Sequence, residues 1–162
     1  MIGALIWAAV ALAAPEGPVL DLRQPGNVVT ALQAAGYKAE LKINKAGEPY
    51  ILSGVNGGSF TIEFYGCEGL KDCGSFQFAS WYKKDPLYTA ALTNEWNATK
   101  RFLKVGVDSD GDLREFLDAT AVGGMTQAQF ADLVDWYAEM DSDFAKFLDA
   151  KREAAKAKPA RK

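Results

Sequence analysis

An α+β fold, with helices packed on a twisted antiparallel sheet, is predicted for this 162-residue chain by three features. Apolar and polar residues alternate with period two in several short stretches, the pattern of half-buried strands. The connections between those stretches are mostly too short for the crossovers that parallel strands require. The C-terminal part instead carries a long helical periodicity behind a capping pattern, as expected of a helix that covers a sheet. Together they give the order α-β-β-β-β-α-β-β-α.

The first helix is expected from about Pro25 to Ala35, with Asn27 as N-cap, Val28, Leu32 and Ala35 on one stripe, and Gly36 just past its end. Lys38–Asn44 then alternates, with Ala39, Leu41 and Ile43 on one face and Lys38, Glu40 and Lys42 on the other. Tyr50–Val55 and Ser59–Tyr65 are the next strands. They are joined through Asn56-Gly57-Gly58, residue types that tolerate the positive φ of a tight hairpin. Ser75–Tyr82 completes a four-stranded meander. Asp85-Pro86 opens a second helix, Leu87 to about Trp96, and strands follow at Arg101–Asp108 and Asp112–Val122. The last helix has a capping box in Thr126 and Gln129. Its apolar stripe is Phe130, Leu133, Val134, Tyr137, Phe144 and Leu148.

Three segments divide the chain: 1–14, 22–149 and 150–162. Met1–Ala14 is uncharged and apolar, too short for a membrane span of roughly 20 residues, and ends in small residues. It reads as a secretory signal peptide, and a buried N-terminal helix is the other reading. The body at 22–149 suits one domain. The net charge is −3, yet Ala150–Lys162 carries six basic residues against Glu153, which leaves −8 on residues 1–149. An acidic body excludes nucleic acid as the main partner. The basic tail is expected to be a fraying helix end and then a solvated tail, with at most weak attraction to an anionic membrane surface.

The chain has two cysteines, Cys67 and Cys73, and no histidine. Their loop joins adjacent strands, so a structural disulfide is the expected pairing, worth roughly 2 kcal/mol by loop closure. The CxxxxxC spacing is not that of a CxxC redox pair, although redox chemistry stays an alternative. A metal site is expected at neither cysteine, because further ligands are wanting. Asp108-Ser-Asp-Gly-Asp112 has the glycine in the wrong place for a calcium loop and reads as a hairpin turn. There is no GxSxG, no HExxH and no glycine-rich phosphate loop, so no catalytic residues and no cofactor are assigned.

Asn94–Phe102 is the most distinctive stretch. Read as structure, Trp96 packs a helix on the sheet and Arg101 pairs with an acid. Read as function, Trp96, Asn97 and Arg101 form a candidate partner-binding corner, since Trp and Arg are favoured at binding hot spots.

Several segments together resemble the YbjN domain family of bacteria, described as sensory transduction regulators. They are Ala35-Gly-Tyr-Lys-Ala39, Phe64-Tyr-Gly-Cys67, Cys73 before Phe76-Gln-Phe78, Trp96-Asn97, Arg101-Phe102, the Asp108–Asp112 hairpin and Gly123-Gly-Met-Thr126. The resemblance covers about Gln24–Leu148 and is greatest to an exported, two-cysteine branch. It implies a fold similar to type III secretion chaperones, used for protein–protein contact, and on that analogy a homodimer.

The expectation is therefore a periplasmic or secreted, non-catalytic module. It would contact another envelope protein through its sheet face or the Trp96–Arg101 corner. A small-ligand protein or hydrolase with a carboxylate-lined pocket is the alternative, and two convergent acids in a concave site would mark it.

Overall fold

The computed structural model describes residues 17–157. The leader expected at 1–14 and the end of the tail, 158–162, lie outside them. In chain order the elements are β1 (Val19–Leu20), α1 (Pro25–Ala34), β2 (Ala39–Ile43), β3 (Pro49–Val55), β4 (Gly58–Tyr65) and β5 (Ser75–Tyr82). Then come α2 (Ala90–Thr99), β6 (Lys104–Val107), β7 (Leu113–Thr120), β8 (Met125–Thr126) and α3 (Gln127–Ala157). Six strands make an antiparallel sheet in the order β2-β3-β4-β5-β7-β6, and β1 pairs with β8 in a separate ribbon. The expected α+β architecture is thus the one formed, with the short β1–β8 ribbon added to it.

Alternation decides which face is covered. Phe60, Ile62 and Phe64 of β4, Phe76 and Phe78 of β5, and Leu113 and Leu117 of β7 are buried together with Phe130, Val134, Tyr137, Phe144 and Leu148 of α3. Each such side chain contributes roughly 1.5–3 kcal/mol on leaving water. The aromatic rings interlock across the layer: Tyr137 lies 5.1 Å from Phe60 and 5.2 Å from Phe78. Val28 and Leu32 of α1 and Leu92 and Trp96 of α2 join the same core.

The turns follow their residue types. Asn56 and Gly57 take φ of 51° and 81°, which closes the β3–β4 hairpin. The Asn56 side chain then donates to the Ala138 carbonyl at 2.7 Å and to Asp141 at 2.8 Å, pinning the hairpin to α3. Asp108 is spent inside its own turn, where its carboxylate accepts from the Asp110 and Asp112 amides at 2.9 Å. Thr126 and Gln129 form the expected reciprocal cap, at 3.2 Å and 3.0 Å.

Four boundaries differ from the sequence reading. The cap of α1 is Gln24, while Asn27 donates back to the Asp21 carbonyl at 2.9 Å. The second helix starts at Ala90, because the Thr89 hydroxyl accepts from the Leu92 amide at 3.2 Å and Asp85 instead turns the chain onto the Leu87 amide. β6 begins at Lys104, since Phe102 has φ 61° and breaks the extended run. Finally, α3 continues to Ala157, past the expected tail boundary at 150. Lys151 there reaches Glu95 at 2.6 Å and Arg152 donates to the Tyr88 hydroxyl at 3.1 Å. No described helix is long and apolar enough to cross a membrane.

Candidate functional site: an aromatic groove beside an open strand edge

The corner at Trp96, Asn97 and Arg101 is divided between core and surface. Trp96 is 1% exposed. Its indole N–H donates to the Leu103 carbonyl at 3.1 Å, and its ring meets Phe144 edge-on at 4.8 Å. The Asn97 amide donates to the Val105 carbonyl at 2.9 Å and accepts from the Val105 N–H at 3.0 Å. It thereby takes the place of a strand neighbour on the outer edge of β6. Lys104 closes the arrangement by donating to the Asn97 and Lys100 carbonyls at the end of α2. Both Trp96 and Asn97 are occupied in joining α2 to β6. Arg101 is exposed, with its guanidinium 4.7 Å from the centre of the Phe102 ring.

Phe102 and Trp136 carry the surface that the sequence reading missed. They are 45% and 41% exposed, and their rings meet edge-on at 4.6 Å. They head a groove of about 540 Å³ between β7 and α3, with Leu117, Met125, Leu133 and the two carboxylates Asp118 and Asp132 along it. No lysine or arginine lines it among the described residues. A sequence signal existed. Trp136 sits beside the Phe130–Val134–Tyr137 stripe and not on it, so a large aromatic was placed where the helix turns toward solvent.

The opposite sheet face centres on Arg114. Its guanidinium donates to Glu63 at 2.5 Å and to Gln77, and lies 4.8 Å from the Trp81 ring centre. Gln77 in turn donates to Asp118 at 2.6 Å. The Arg114 Nε is buried with no hydrogen-bond partner. Charges on this face are largely paired within it, and Trp81 stands at its edge, 43% exposed.

Within the helix-covered layer, Glu115 is fully buried. The hydroxyls of Tyr82 and Tyr137 donate to its two oxygens, each at 3.3 Å, and Tyr137 shares a 2.7 Å bond with Ser80. Burial, and then the neighbouring Asp141, push its carboxyl up to about 8. Glu115 is not among the residues that line the Phe102–Trp136 groove, and through Tyr137 its carboxyl works as a packing partner of α3.

Cys67 and Cys73 are joined as a disulfide. The bridge rigidifies a junction: the Cys73 amide donates to the Arg23 carbonyl at 2.9 Å, and Asp72 accepts from Arg23 at 2.7 Å and Gln24 at 2.8 Å. The β4–β5 loop is so tied to the start of α1. No group of three or more metal-ligating side chains occurs among the described residues.

Three comparisons bear on this architecture. The crystal structure of YbjN from E. coli, described as a putative transcription regulator, superposes with a TM-score of 0.59 at 17% identity, covering 83% of this chain and 96% of that one. At that identity the likeness concerns the fold. No curated protein sequence matches. The family model named YbjN, "Putative bacterial sensory transduction regulator", matches residues 24–150, from the start of α1 into the second half of α3. With the sheet order, the disulfide loop and the capped final helix falling inside that span, the chain belongs to the YbjN family.

Proposed function

We propose that the protein is an exported, non-catalytic regulatory module that acts by holding another protein at the Phe102–Trp136 groove. One observation carries this: two large aromatic rings are kept at the surface, packed edge-on against each other, at the head of an apolar groove. Leaving so much apolar surface in water costs free energy, and a partner that covers it recovers that cost. Arg101 beside them supplies the second residue type common at hot spots. Membership in a family described as regulators supports the non-catalytic part. Export is supported by the leader at 1–14 and by a disulfide suited to an oxidising compartment.

Affinity capture from the cell envelope tests this with the parent, a Phe102→Ala/Trp136→Ala variant and a Trp81→Ala variant. A partner held by the parent and by Trp81→Ala, and released by the groove variant, is the expected result. A partner released only by Trp81→Ala moves the contact to the open sheet face. The alternative of a small ligand rests on Asp118 and Asp132 flanking one groove. It gains if no protein is captured and a small molecule copurifies with the parent alone.

A further inference from the structure

The groove is bounded on one side by a strand edge that the sheet leaves open. β6 pairs only with residues 113–116 of β7, whereas β5 pairs along the whole of it. The Ala121 N–H donates to the Gly74 carbonyl, continuing the β5–β7 register. Odd-numbered residues of β7 therefore aim their backbone at β5, and even-numbered ones aim away. Lys104 and Gly106 of β6 stand opposite Phe116 and Arg114. Asp118 and Thr120 come next, and among the described residues no strand or backbone hydrogen bond meets them on that side. The chain that could have met them turns off at Phe102, where φ is 61°. Elsewhere this edge is protected, since Asn97 satisfies the Val105 backbone one strand further out. The open stretch lies directly beside the Phe102–Trp136 pair.

We infer that the groove receives an extended segment of a partner protein, added as a strand to β7 at Asp118–Thr120, with apolar and basic residues in alternation. This rests on the docking reading above and names its occupant. The alternation follows from the pleat. A strand added there has one face toward α3, where Leu117, Leu133, Met125, Phe102 and Trp136 present apolar surface. Its other residues lie on the side of Asp118, and Asp132 stands on the helix wall, with no cation lining the groove. Two carboxylates in a groove lined by no lysine or arginine among the described residues favour Lys or Arg in the entering segment.

The probe is a fluorescein-labelled peptide, Lys-Leu-Lys-Val-Lys-Leu-Lys, titrated by anisotropy against the oxidised protein. Two further peptides carry N-methyl groups on one or the other alternate set of amides, and a fourth has Glu in place of Lys. The expected result is saturable binding of the parent peptide, lost by at least about tenfold on methylating one set and unchanged on methylating the other. The acidic peptide should fail, and Asp118→Asn/Asp132→Asn should weaken the basic one by about threefold to tenfold. Thr120→Pro removes an outward-pointing donor without touching the β5 pairing, and should weaken binding while circular dichroism stays unchanged.

Equal tolerance of both methylated peptides, equal binding of the acidic peptide, or no binding of the parent overturns the inference. So does a concentration-dependent dimer abolished by Thr120→Pro, which assigns the edge to a second copy. The titration needs no cell component, so its failure beside a captured partner discards the strand mode and keeps the docking reading. A bound peptide beside an empty capture keeps the strand mode and discards the envelope partner.

Discussion

Trp96 and Trp136 are the same residue type, each close to the turn at Phe102, and they lead opposite lives. Trp96 is enclosed, its N–H paired with Leu103 and its ring against Phe144. Trp136 meets Phe102 in a comparable edge-on contact, and both remain partly open to water. Burial with every polar atom satisfied is what a structural residue needs. Apolar area left uncovered at a groove is what a contact residue has to offer. Residue type cannot separate the two; what surrounds the ring does.

Truncating the enclosed side should have the largest effect. Trp96→Ala is expected to cost about 3–5 kcal/mol by cavity formation, whereas Trp136→Ala should cost about 1 kcal/mol or less, both read from urea unfolding midpoints. Similar costs at the two positions would erase the distinction.

Glu115 gives a second handle on the buried layer. Its carboxyl is raised to about 8 in the folded protein, above the ordinary value near about 4.3. The folded state then holds a proton that the unfolded chain releases, so stability is greatest below about pH 4–5 as far as this group is concerned. It declines as pH rises and levels off above about 8. Glu115→Gln should flatten that slope between about pH 5 and 9, and peptide binding at the groove should not follow it. A wild-type slope that survives Glu115→Gln assigns the pH dependence to other groups.

Smaller effects belong to the joints. Cys67→Ser/Cys73→Ser should lower stability by roughly 2 kcal/mol and speed exchange first at the backbone amides of positions 73 and 74. Asn97→Ala should cost about 1–3 kcal/mol, because it leaves the Val105 N–H and carbonyl without their partner. Hydrogen exchange at Val105 is the direct readout, and unaltered protection there would remove Asn97 from its bracing role.

The meander was legible because each strand carries its own alternation and each turn its own Asn, Gly or Asp, so local chemistry and tertiary structure agree. The capping box at Thr126 was legible for the same reason. The ribbon of β1 and β8 was not: two residues on each side hold no period. What builds it is tertiary proximity at Gly124, where any side chain would meet the Leu20 carbonyl. The start of α2 was misread because Pro86 and Thr89 both carry start signals, and the hydroxyl that reaches an amide decides between them. Of the site, Arg101 lies exposed at the turn between α2 and β6, against Phe102 and in no ion pair among the described residues. Trp96 and Asn97 drew attention by type, while their inward bonds exist only through contacts made across the fold. Phe102 and Trp136 lie far apart in the chain, so neither stretch alone could reveal that they touch.

The most direct test places a photo-crosslinking amino acid at position 136 or at position 81 in the source cells, one position on the groove and one on the open sheet face. A covalent adduct with a different protein at 136, absent at 81 and suppressed by excess Lys-Leu-Lys-Val-Lys-Leu-Lys peptide, is the predicted result. Adducts at 81 alone, or none at 136 under conditions that label a control complex, would contradict the claim that the aromatic groove is where this protein meets its partner.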